Sequence, residues 1–165
     1  MRRTAICLFS FFLVFSFSAC AAQEIKAEDI VFCFHCTADI DYNGEKIQCA
    51  LSRDAPGRAN VPFRSGDMNG LTYDWSGEGF SISYSGLSAK SDECVLPDTS
   101  FTVVLLQVLD YAEKGGSLTR THGDEFSGTV QGIDFTMTVD RSTGQIQSIS
   151  IPQKKLKVQM RDNTQ

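Results

Sequence analysis

The sequence predicts a mainly β protein: a curved antiparallel sheet or half-barrel of nine to ten strands wrapped around one buried helix. Three observations carry that expectation. Over most of residues 31–160 the apolar side chains recur with a period of two, as in strands whose successive side chains point to opposite faces. Turn dipeptides, Asn43-Gly44 foremost, punctuate the alternation. One segment, residues 101–114, leaves that period for a helical run and stops at Gly115-Gly116.

In chain order, Phe32, Phe34, Cys36, Ala38, Ile40 and Tyr42 share one face of the first strand, with Cys33, His35, Thr37, Asp39 and Asp41 on the other. Asn43-Gly44 suits a type I′ turn, whose two central residues both need positive φ. A two-residue loop there sets Cys36 opposite Leu51 and Cys49 opposite Ala38, and it returns Ile47, Cys49 and Leu51 to the apolar face. Further strands are expected at 61–64, 71–75 and 80–84, where Leu71, Tyr73, Trp75, Phe80, Ile82 and Tyr84 alternate with polar neighbours. Residues 53–60, with Pro56-Gly57, and 88–97 read as loops.

The helix has Asp98, Thr99 and Ser100 as N-cap candidates. Its N-terminal half is apolar almost all round, which calls for burial on more than one side, while Asp110, Glu113 and Lys114 mark the wet end. Period two then resumes: Phe126 and Val130, the turn Gln131-Gly132, Ile133 to Val139, a turn at 141–144, Ile149 and Ile151, and finally Leu156, Val158 and Met160. Such clean alternation implies an antiparallel sheet with one solvated face.

Of 165 residues, 42% are hydrophobic, 21% charged and 10% aromatic, an ordinary globular composition. A formal charge of -5 supplies no basic stripe for phosphates, which excludes nucleic acid from the expected partners. Domain organisation follows. Residues 1–22 read as an export signal: Arg2 and Arg3, an apolar run over 5–17 too short to span a bilayer comfortably, then small residues. Residues 23–29 read as a polar tether, 30–161 as one β-rich domain and 162–165 as a polar tail.

Ser18-Ala19-Cys20 resembles the lipobox of bacterial lipoproteins, with Phe17 where that motif usually carries an aliphatic residue. The resemblance makes Cys20 the site of lipid attachment and places the protein on the outer face of the cytoplasmic membrane. Ordinary cleavage after Ala21 or Ala22, leaving a secreted or periplasmic protein, is the alternative. Loss of residues 1–19 would leave 13 basic against 20 acidic residues, so an anchor rather than a basic patch would hold the chain at a membrane.

The order of signal, lipobox, antiparallel strands, one buried helix and more strands resembles the lipoprotein-carrier superfamily, the LolA-like and LppX/LprG-like half-barrels. More narrowly, Leu71-Thr72-Tyr73, Tyr84-Ser85-Gly86-Leu87, Leu96-Pro97 and Val139-Asp140-Arg141-Ser142-Thr143-Gly144 with the following Ile149 to Pro152 are similar to small lipoproteins of Gram-positive type. The long N-terminal helix of the carrier fold has no counterpart here. The superfamily implies a concave face that binds acyl chains, although a fold by itself does not transmit function.

No catalytic constellation, cofactor motif or complete metal-ligand set is legible. His35 and His122 lie far apart in the sequence with no nucleophile motif beside them. Asp39, Asp41 and Asn43 lack the rest of a calcium loop. Cys33 and Cys36 have the spacing of a redox pair, but three residues of strand separate them by about 10 Å and onto opposite faces, too far for a disulfide. Export would favour bridges among Cys33, Cys36, Cys49 and Cys94, whereas the register favours free thiols.

Tyr73, Trp75, Phe80, Tyr84, Leu105 and Leu109 are the candidates to line an apolar pocket. The expected protein is therefore a non-enzymatic envelope lipoprotein that binds a lipid-like or other apolar ligand in its concave face. The alternative is a surface interaction module, or accessory subunit of an envelope complex, with a filled core.

Overall fold

Asn43 and Gly44 have φ of 54° and 89°, so the chain reverses in two residues and pairs β1 (Phe34–Tyr42) with β2 (Glu45–Ala55) along their length. The computed structural model describes residues 25–164. After β2 the chain continues through β3 (Arg58–Pro62), β4 (Leu71–Ser76), β5 (Phe80–Tyr84) and β6 (Leu87–Ser91), each pairing antiparallel with the one before. The helix α1 (Phe101–Glu113) follows. A second meander comprises β7 (Thr119–Arg120), β8 (Glu125–Val130), β9 (Ile133–Val139), β10 (Ile146–Ile151) and β11 (Leu156–Thr164).

The last strand pairs with the first, so the two meanders form one open sheet of eleven strands in the order β6-β5-β4-β3-β2-β1-β11-β10-β9-β8-β7. The mainly β, antiparallel expectation holds. The strand count exceeds nine to ten because β6 and the two-residue β7 pair as edge strands without an apolar alternation to announce them.

Alternation sorts the sheet into a covered and an open face. Phe34, Cys36, Ala38 and Ile40 of β1, Cys49 and Leu51 of β2, Phe135, Met137 and Val139 of β9, and Leu156, Val158 and Met160 of β11 are all buried, in one cluster with seven residues of α1. The helix stops where expected: Gly115 takes φ of 83° and the Gly116 N–H donates to Tyr111 O at 2.9 Å. Phe101 meets Tyr42 and Phe63 at one end, and Tyr111 meets Phe135 at the other. Gly128 lies opposite Phe135, and the ring occupies the place a Cβ would take there, so the missing side chain makes room for Phe135.

Both ends of the domain lie beyond the expected boundaries. The segment expected as a tether is packed from Ile25 on: Ile25 and Ile30 are buried, and Ala27–Asp29 is a 3-10 turn whose Asp29 carboxylate accepts from the Lys26 N–H at 2.9 Å. The Val31 N–H then donates to Gly144 O at 2.9 Å. Gly144 sits at φ of 73° with Asp29 O where a Cβ would stand, so glycine alone admits the N-terminal segment there. At the other end, β11 runs to Thr164, opposite His35, through most of the expected polar tail. The expected export signal and Cys20 lie outside the described residues.

Candidate functional site

The apolar candidates do not line one cavity. Leu105 and Leu109, 2% and 0% exposed, belong to the sealed core. The gap between helix and sheet beside Leu105, bounded by Ile40, Leu51, Val61 and Phe101, has a volume of about 10 Å³. That is roughly the room of one water molecule. Tyr73, Trp75 and Phe80 do come together, with ring centroids 4.8–6.0 Å apart, and Phe63 joins them to the core at 5.1 Å from Tyr73. Phe80 is buried and its two partners are half-buried, with burial pushing the Tyr73 phenol up. Tyr84, at 55% exposed, stands apart from them in solvent.

The helix end expected to be wet is instead clamped. Ile47, Cys49, Leu51 and Arg53 share the covered face of β2, and the alternation carries the Arg53 guanidinium to zero exposure. Its Nη1 donates to Phe32 O at 2.8 Å, and its Nη2 donates to Asp110 Oδ1 at 2.7 Å and Glu113 Oε2 at 2.6 Å. Gly57 N–H donates to Asp110 Oδ2 at 2.9 Å, so the 53–60 stretch is a tight hairpin held to the helix rather than a loop. The period-two count from Cys49 would have found Arg53, because it places a cation among the inward residues.

Among the described residues a broad concavity lies on the open face, a trough of about 870 Å³ walled by two rows of side chains that run across the strands. Pairing sets Glu125, Thr138, Ser148, Gln159, Asp39 and Gln48 side by side from β8 to β2. Two residues along, a parallel row reads Thr136, Ser150, Lys157, Asp41 and Lys46, and its next member, Ser127 of β8, lies outside the trough. Every member is polar, and Ser65 and Arg161 also contribute to the wall.

Neighbours hold the two aspartates of the hairpin. Asp39 accepts from Gln48 Nε2 at 3.0 Å and pairs with Arg161, while Asp41 pairs with Lys46 and accepts from the Gly44 N–H. The Lys46 hydrogen bond holds the Asp41 carboxyl below its ordinary range. Among the described residues, the hydroxyls of Thr136, Thr138, Ser148 and Ser150 carry no side-chain hydrogen bond, and all four residues are half-buried. Sequence reading missed this site because each strand shows only a polar residue in every second position, and the rows exist only across strands.

The cysteines follow the expected register: Cys36 faces Leu51 and Cys49 faces Ala38. Cys33, Cys36, Cys49 and Cys94 are unbridged, the first and last exposed and the middle two buried. Burial pushes both buried thiols up to about 12. Cys33 Sγ donates to Asp54 O at 3.1 Å, on the opposite face from Cys36. His35 Nε2 lies 3.7 Å from the exposed Asp54 carboxylate, and His122 occupies the turn between β7 and β8.

No protein-family model matches the chain and no curated protein is significantly similar to it.

Proposed function

We propose that this chain is an exported, lipid-anchored and non-enzymatic interaction module of the cell envelope, and that it works through the open face of its sheet. The carrying observation is a contrast in space. Beside Leu105 the helix and sheet leave about 10 Å³, and a concavity of about 420 Å³ opens at the helix end by Tyr111 and Phe135, whereas the polar face carries a trough of about 870 Å³. A filled core leaves an acyl chain no room without moving α1, which the Arg53 cluster and the Phe101 contacts hold at its two ends. Contacts from both sides of the sheet, Phe63 with Phe101 and Phe135 with Tyr111, support a sheet that curls about the helix as a half-barrel.

The anchor in this reading is Cys20, on the outer face of the cytoplasmic membrane. Four residues lie between Cys20 and the packed Ile25, a reach of at most about 18 Å, so the body stays close to the bilayer. Two experiments test the reading. Replacing Cys20→Ala is expected to release the protein from membranes into the soluble fraction, and retention in the membrane would remove the lipid anchor. Titration of the full chain with oleate or a lysolipid, followed through Trp75 fluorescence, is expected to give no saturable change. Saturation at one lipid per chain would return the function to the covered face as a carrier.

A further inference from the structure

We infer that the open trough seats an uncharged, linear polysaccharide strand lying across β8, β9, β10, β11, β1 and β2. The inference rests on the open face being the working surface and assigns that surface its ligand class.

Its first support is spacing. Neighbouring strands lie about 4.8 Å apart, so each row offers a polar group at that interval for about 24 Å. A linear polymer laid along the rows meets one such group per strand, and a chain of sugars offers hydroxyls at a closely similar repeat.

The second support is charge. Asp39, Asp41 and Glu125 are balanced in the trough by Lys46, Lys157 and Arg161. Two of the three acids are also paired directly, Asp39 with Arg161 and Asp41 with Lys46. On a chain of net charge -5 this is a locally neutral surface, which gives neither a polyanion nor a polycation a field to follow.

The third is the kind of group left over. Thr136, Thr138, Ser148 and Ser150 form a contiguous two-by-two block, Thr138 opposite Ser148 and Thr136 opposite Ser150. A hydroxyl both donates and accepts, so it matches another hydroxyl in either sense, and the half-buried position has already removed part of its water. The trough has no aromatic residue in its lining. Protein interfaces draw their affinity from buried aromatic and arginine anchors, which makes a protein partner the poorer match for this surface.

Calorimetric titration of the full chain in detergent micelles with chitotetraose and with cellotetraose tests the assignment. At least one of the two is expected to bind saturably, with affinity unchanged between low and high salt. The double variant Thr138→Val/Ser148→Val is expected to bind about tenfold more weakly, as the loss of two hydrogen bonds implies. If that variant does not fold, Gln159→Ala, which trims an exposed side chain of the same row, takes its place with the same expectation.

Absence of binding to both glycans at millimolar concentration overturns the assignment, as does binding that the variants leave untouched. Binding of polygalacturonate in place of the neutral glycans, lost in high salt, also overturns it and makes the ligand a polyanion. If neither glycan binds while the Trp75 titration with oleate is also silent, the polysaccharide falls and the open-face module stands. If oleate saturates Trp75, the module falls as well.

Discussion

Strands β8 and β9 on one flank of the sheet and β4 and β5 on the other are written in the same alternation, yet they end at opposite degrees of burial. Phe126, Val130, Phe135, Met137 and Val139 are no more than 6% exposed. Across the sheet only Phe80 is buried, while Leu71, Tyr73, Trp75 and Ile82 are half-buried and Tyr84 and Leu87 are 55% and 75% exposed. Tyr73, Trp75 and Tyr84 carry polar tips that the other flank lacks, and the layer above the two flanks differs as well. Tyr111 of α1 lies against Phe135, whereas on the other side the helix reaches Phe63 through Phe101 and the packing beyond is strand against strand. Alternation therefore chooses a face, and burial requires a second element to cover it.

The clamp that keeps the helix in place gives the largest expected effect. Arg53→Met is expected to destabilise the fold by about 3–5 kcal/mol, because it leaves Asp110 and Glu113 without their cation at a part-buried site. Adding Asp110→Leu and Glu113→Leu should recover most of that loss, since well-packed apolar groups often replace a buried ion pair without cost. Urea unfolding measures both, and a single-variant loss below about 1 kcal/mol would show that the helix is held by packing alone.

The flanks themselves are compared by truncation. Phe135→Ala should cost about 3–5 kcal/mol, as a large-to-small change in a sealed core. Ile82→Ala should cost about 1 kcal/mol, since that side chain leaves water only in part. Equal losses in chemical denaturation would mean that the β4 and β5 flank is covered in solution.

The smallest effects sharpen the same contrast through the thiols. In the native chain Cys33 and Cys94 are expected to alkylate quickly, and Cys36 and Cys49 only on unfolding, as peptide mass mapping reads out. The two buried thiols also set a pH dependence. Their folded pKa of about 12 lies above the ordinary 9.0, so stability is intact below about pH 9 and declines as pH rises towards 12, where the unfolded chain alone sheds the protons. Melting curves across that alkaline range should show the decline, and Cys36→Ala/Cys49→Ala should flatten it.

Much of this architecture is legible in the linear order of residues. The assignment of Phe34, Cys36, Ala38 and Ile40 to one face and the pairing of Cys36 with Leu51 both follow from local rules, the two-residue period and the positive φ of Asn43 and Gly44. The helix and its glycine stop follow in the same way. Less was legible where polarity alone was the guide. Asp110 and Glu113 read as solvent-facing because a charge normally seeks water, and only the arrival of Arg53 from 57 and 60 positions away reverses that preference. Ile25 read as part of a tether because its neighbours Glu24, Lys26 and Glu28 are charged, yet it is buried in the core, and the segment that follows it passes Gly144 at Asp29, far along the chain.

By itself the sequence determined which side chains share a face, where the chain turns and which segment is helical, since each depends on backbone geometry over a few neighbouring residues. The tertiary structure alone decided that the helix fills its side of the sheet, that one flank stays half-bare, and that Thr136, Thr138, Ser148 and Ser150 become a block lining a trough. Those outcomes depend on strands distant in the chain lying about 4.8 Å apart, and on which surfaces are left when the apolar ones have found one another.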